Sequence, residues 1–127
     1  MNEPVAPSSI APPAANYHHG IVLTGSSRVL HTSGVVPIAP DGTVPDELAD
    51  QAAVVWANIA AIVDAAGLAM TDIVSITTYV VAGHDLSAVM AARDGGLAGQ
   101  RVASTLVYVP ALARPEWKIE VAVVAAR

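Results

Sequence analysis

Glu120 is a carboxylate set between Ile119 and Val121, inside the apolar run from Trp117 to Ala125. Taking a carboxylate out of water is costly unless a partner or a reaction uses it. Two readings are open. Glu120 is a general base or water-orienting group, or it pairs with Lys118, two positions away on the same strand face. Ser33 and Ser104 carry hydroxyls, but neither sits in a G-x-S-x-G elbow, so neither has the setting of a nucleophile. The backbone amides around Gly34 are better suited to hold an anionic or carbonyl oxygen. Arg101 stands two residues before Ala103, so a continuous strand puts both on one face. It is either an anchor for an anionic substrate or a solvated arginine at a strand entrance.

His18 and His19 are adjacent, and adjacent side chains in an extended chain point apart. They cannot chelate one metal together. His31 and His84 stand alone, no H-x-x-x-H spacing occurs, and no metal site is expected. Either histidine beside Tyr17 remains a candidate proton donor. The chain has no cysteine, which excludes a thiol nucleophile, a disulfide and a cysteine metal site.

These residues must be positioned by a small set of elements. Residues 1–15 are rich in Pro, Ala and Ser and read as an extended or partly disordered arm; residues 16–127 read as one domain. GIVL and RVLHTSG are β-prone runs separated by the turn-like TGSS, and a hairpin is expected. From Asp46 to Ala66, Leu48, Ala52, Val55, Ile59 and Ile62 recur at helical spacing, with Gly67 as the stop. Ile73 to Val81 is β-branched and reads as a strand buried on both faces. Asp85 caps a second helix from Leu86 to about Asp94, ended by Gly95 and Gly96. Arg101–Val109 and Trp117–Ala125 are the last strands. Trp56 and Trp117 read as packing residues. The order implies an α+β fold, a mixed β-sheet with two helices on one face. Apolar residues on the second face then call for another subunit to cover it.

The chain has 127 residues, enough for one core, and 54% are hydrophobic with no phenylalanine, so that core is built from small side chains. A net charge of −5 argues against a nucleic-acid groove. The N-terminal stretch lacks the basic and apolar regions of a signal peptide. No apolar run approaches the ~20 residues of a membrane span, and a cytoplasmic protein is expected.

Several motifs, in order, carry a family resemblance. PPAANY resembles an A-P-x-x-x-x-Y segment ending at Tyr17. HTSGVVPIAPDGTVP resembles a block that places Ser33 and Gly34. NIAAIVDAAGLAMTDIVSITTYV resembles a third run, and QRVASTLV followed by KIEVAV resembles a C-terminal signature. Together the chain resembles the Rid/YjgF family (reactive intermediate deaminases, also called endoribonuclease L-PSP). That resemblance implies a chorismate-mutase-like fold and a homotrimer around a central barrel with interface clefts. It implies Glu120 as the catalytic carboxylate and Tyr17, Ser33, Gly34, Arg101, Ala103 and Ser104 around the substrate. Ala103 falls where the family's carboxylate-binding arginine stands, and Met90 falls near its asparagine. The implied function is hydrolysis of an enamine, an imine or a related small carbonyl metabolite, without a cofactor. Little turnover of the simplest α-imino acids is expected. A non-catalytic trimer that binds a metabolite is the alternative; RNA cleavage is disfavoured by the charge.

Overall fold

The computed structural model describes residues 2–127. Along the chain run β1 (Asn2–Val5), β2 (Gly20–Leu23), β3 (Val29–His31), α1 (Leu48–Ala65), a 3-10 turn (Met70–Asp72), β4 (Ile73–Val81), α2 (Ser87–Gly96), β5 (Ala103–Val109) and β6 (Ile119–Ala126). Four strands form one sheet in the order β3-β6-β4-β5, and β1 pairs with β2 in a separate two-stranded sheet. The expected hairpin is therefore not formed. β2 pairs antiparallel with β1, while β3 pairs antiparallel with β6. Alternating β-prone runs reveal strands but not their partners, and the strand at residues 2–5 competes for β2.

The β4–β5 pair is parallel and needs a crossover, which α2 supplies. The β4–β6 pair is antiparallel, with a register shift between Ile73 and Ser75. That irregularity buries both Ile73 and Val74. Beyond it the strand alternates: Ile76, Thr78 and Val80 face the helices, and Ser75, Thr77, Tyr79 and Val81 face away. β4 is thus not an apolar strand on both sides; its second face is half polar.

α1 and α2 pack on one face of the sheet around a core that joins Val55, Ile59, Val89, Ile76, Ile119 and Val121. Each such side chain, fully buried, contributes roughly 1.5–3 kcal/mol. The buried stripe of α1 is turned from the expected one. Trp56 and Val63 are buried, whereas Ile62 is exposed. By length and composition α1 is apolar enough to cross a membrane, with mean hydropathy 1.3 over 18 residues. Its buried side packs against α2 and β6, as the core helix of a folded domain does.

Gln51 is wholly buried on α1 and fully used. Its Nε2 donates to the Pro45 and Glu116 carbonyls at 2.8 Å each, and its Oε1 accepts from the Lys118 amide at 2.8 Å. This one amide ties the start of α1 to the entrance of β6. α2 ends later than expected. Leu86 already has helical backbone angles, and Asp85 accepts from the Ser87 amide at 2.8 Å, so it caps the helix as expected. That amide, then the Ser87 hydroxyl, holds the Asp85 carboxyl below its ordinary value of 3.8. Gly96 lies within the helix. A Cβ there would meet the Trp56 ring at 2.7 Å, so glycine is what lets α2 approach α1.

Candidate functional site

Glu120 alternates with Ile119 and Val121, both fully buried toward the helices, and so projects onto the open face of the sheet. On that face its cross-strand neighbour is Tyr79. The carboxyl is half-buried. Lys118 is not its partner: the Lys118 ammonium donates to the Asp46 carbonyl instead. Among the described residues the Glu120 carboxylate has no hydrogen bond and no ion pair.

What holds Glu120 in place is a backbone irregularity opposite it. Thr32 bonds to Val123, and Val35 exchanges both its backbone bonds with Val121, at 2.7 and 3.1 Å. Two residues, Ser33 and Gly34, therefore stand opposite the single residue Ala122. This is a bulge, a device that often re-aims groups beside functional sites. At the bulge Gly34 lets the carboxylate lie against the backbone. A Cβ at Gly34 would fall 2.0 Å from Glu120 Oε2 and 2.9 Å from its Cγ. Neither the Ser33 nor the Gly34 amide has a hydrogen-bond partner among the described residues. These free donors beside a carboxylate suit an oxygen-bearing ligand.

The remaining candidates gather elsewhere. The His18 amide donates to the Val102 carbonyl at 2.9 Å, which lays the Tyr17 segment along the start of β5. Tyr17, Met90, Arg93, Ser104 and Leu106 line a cleft of about 430 Å³ between that segment, α2 and β5. The Tyr17 hydroxyl accepts from the Ala14 amide at 3.2 Å. Ser104 points to the helix side of β5 with Leu106, whereas Ala103 lies on the open face beside Ser75. Arg101 precedes β5, is exposed, and donates from Nε to Asn16 Oδ1 at 2.7 Å. It lines neither this cleft nor the larger one, because the strand that would have aligned it with Ala103 starts two residues later. His19 turns away to the Ala11 carbonyl at 2.8 Å.

The residues thus form two groups. Glu120 shares a rung with Tyr79 and Val107, and Ala103 shares one with Ser75 and Val124. Those rungs are four residues apart on β5, about 13 Å along the strand.

A larger cleft of about 580 Å³ lies between α1 and the chain from Leu30 to Ile38, and Ser33 and Gly34 reach its rim. Its walls are mostly apolar. His31, Thr32, Ser33 and Asn58 are its polar residues, and Asn58 Nδ2 is already bonded to the Ile38 carbonyl at 2.9 Å.

The sequence profile of the family described as Endoribonuclease L-PSP, the Rid/YjgF proteins, matches residues 8–127. The chain belongs to that family. The 2-iminobutanoate/2-iminopropanoate deaminase of Escherichia coli strain K12 is a relative 39% identical over 87 residues, which cover 68% of this chain and 62% of the relative. The chain thus spans about three fifths of the curated relatives' length in such matches. Among solved Rid-family structures, YyfB of Yersinia pestis superposes with a TM-score of 0.87 at 28% identity, over 99% of this chain and 98% of that one. Escherichia coli TdcF with bound serine superposes at 0.72 and 29% identity, over 98% and 93%. The α+β architecture with two helices and mixed sheets is the Rid/YjgF architecture.

Two features of this Rid-family chain escaped the sequence reading. Tyr79 reads as one more residue of a buried strand until its register with Glu120 is known. Arg93 sits in ARDGG, which looks like a solvated helix end, yet it is buried.

Proposed function

We propose that the chain hydrolyses an enamine, an imine or a related small carbonyl compound in a cleft completed by a second copy of itself, most simply in a homotrimer. The observation that carries this is Glu120: a half-buried carboxylate without a partner among the described residues, laid against a glycine bulge with two free amides. On one copy Glu120 lies on the open face of the sheet and the Tyr17–Ser104 cleft on the helix side of β5, and a neighbouring copy would bring a second set of each into reach.

In this reading Glu120 takes a proton from water as the water oxygen bonds to the imine carbon. The C=N π pair moves to nitrogen. The nitrogen takes up two protons, the one Glu120 took from water and the one the new hydroxyl gives up; the C–N bond breaks, and ammonia leaves as the carbonyl forms. The amides of Ser33 and Gly34 hold the oxygen that gathers charge. Tyr17 shapes the far wall. Water supplies every atom added, so these steps use no cofactor. Positioned general-base catalysis of this kind is worth roughly 10²–10⁴-fold.

A second reading is a trimer that binds a metabolite without turning it over. It is favoured by Ala103, which offers a substrate no charge on the open face. The experiment that separates the two generates an imine in situ and follows its hydrolysis against buffer. Turnover above buffer that falls roughly 100-fold or more in Glu120→Gln supports the hydrolase. Ligand-dependent melting with no turnover supports the binder.

A further inference from the structure

The Arg93 guanidinium is buried without enough partners. The residue is 4% exposed. Its Nε donates to Asp94 Oδ1 at 3.2 Å, and Asp94 is itself partly solvated, with 44% of its side chain exposed. Its Nη2 is buried with no hydrogen-bond partner among the described residues. Buried charges are normally paired and buried donors bonded, so a guanidinium in this state calls for an acceptor. Arg93 also lines the Tyr17–Ser104 cleft, where an acceptor can arrive.

We infer that Arg93 is the anion-binding group of that cleft and that the ligand it receives is a small monocarboxylate. The carboxylate occupies the Nη edge, and the Ser104 and Tyr17 hydroxyls lie in the same cleft to meet its oxygens or the adjoining polar atom. Three observations choose a carboxylate over a phosphate. Arg93 is the one cationic side chain lining the cleft. Part of its charge is already balanced by Asp94. Most of the rest of the wall, Leu86, Met90 and Leu106 among it, is apolar and fits a short alkyl chain. A dianion would be left undercompensated here, whereas one guanidinium edge matches one carboxylate in a planar, two-bonded fork.

The position differs from that of an arginine at residue 103. Ala103 faces the open side of the sheet, while Arg93 approaches from α2 on the opposite side of β5. An anion held by Arg93 thus sits on the helix side of the strand. The inference deepens the proposed hydrolysis by naming its substrate class, and rests on that reading only for the claim that the bound carboxylate is a substrate.

Binding alone tests it, with butanoate as the probe and butanamide as its neutral isostere, read by chemical-shift titration of the full chain. The expected result is butanoate binding that perturbs the Tyr17 and Ser104 amides, with butanamide about tenfold weaker or worse. Arg93→Met, which keeps the apolar stem, should weaken butanoate at least about tenfold. Asp94→Asn removes the competing carboxylate from an exposed site and should tighten butanoate several-fold, which decides the matter even if Arg93→Met fails to fold. Equal affinity for butanoate and butanamide overturns the inference, as does unchanged affinity in Asp94→Asn or in a folded Arg93→Met. Inorganic phosphate binding more tightly than butanoate overturns the carboxylate assignment. Loss of turnover in Glu120→Gln and loss of binding in Arg93→Met are separate readouts, so either claim can fail alone.

Discussion

A methyl group at position 34 would lie 2.0 Å from Glu120 Oε2. The atom it meets is the far end of a flexible side chain, which can swing away toward solvent. Gly34→Ala should therefore cost little stability, about 1 kcal/mol, because overpacking that a side chain can relieve is cheap. Its effect on the site should be larger, since the carboxylate must leave the bulge amides. We expect Gly34→Ala to lower turnover by about tenfold or more while the melting temperature moves by only a few degrees. Equal losses of activity and stability would show that Gly34 serves the fold and not the carboxylate. The outward direction of Glu120 was legible in the sequence, since strand alternation between Ile119 and Val121 dictates it. Its relation to Gly34 was legible only through a family resemblance, because the contact spans 86 positions of chain and a bulge. Arg93 was not legible at all. A charged residue before Asp-Gly-Gly carries the composition of a solvated helix end, and only packing reveals that it is enclosed.

At the scale of elements, the contact between Gly96 and Trp56 shows why helix ends are hard to read. Two glycines in succession signal a stop, yet α2 runs through both, because the stronger demand is close approach to a rigid indole. Gly96→Ala would gain up to ~1 kcal/mol of helix propensity. It would also force a Cβ to 2.7 Å from the Trp56 ring, which cannot swing aside as a carboxylate can. Overpacking of this kind costs typically 1–3 kcal/mol, so the net change should be destabilising by about 1–2 kcal/mol. Urea unfolding checks this, and a more stable Gly96→Ala would mean that α2 can slide on α1. β4, by contrast, matched its expected span from Ile73 to Val81, because a β-branched run between polar boundaries leaves little ambiguity. The hairpin reading of β2 and β3 failed on pairing, not on strand identity. A local pattern cannot count the non-local strands, β1 and β6, that compete for each edge.

For the whole molecule, the decisive surface is the open face of the four-stranded sheet. Tyr79, Thr77, Ala122 and Val124 are only half-covered there, and Val107 is exposed. No helix among the described residues covers that face. We expect a second and third copy to do so, giving a trimer in sedimentation at micromolar concentration. Val107→Asp, a charge placed on that face, should shift the chain toward monomer. A stable monomer for the unaltered chain would remove the interface cleft while leaving the family assignment intact.

The distance between the Glu120 rung and the Ala103 rung has one more consequence, and it is genetic in character. If each working site borrows Glu120 from one copy and the Tyr17–Ser104 cleft from its neighbour, two inactive proteins can rescue each other. Glu120→Gln lacks the carboxylate and keeps the cleft. Ser104→Trp plugs the cleft and keeps the carboxylate. Mixed after mild dissociation and reassembled, they should regain activity at the sites that inherit both intact halves, while each alone stays inactive. Variants that both strike the same half, such as Glu120→Gln with Gly34→Ala, should gain nothing by mixing. A site confined to one chain forbids such rescue however the copies are shuffled, so the mixture reports whether the active unit is the polypeptide or the boundary between two of them.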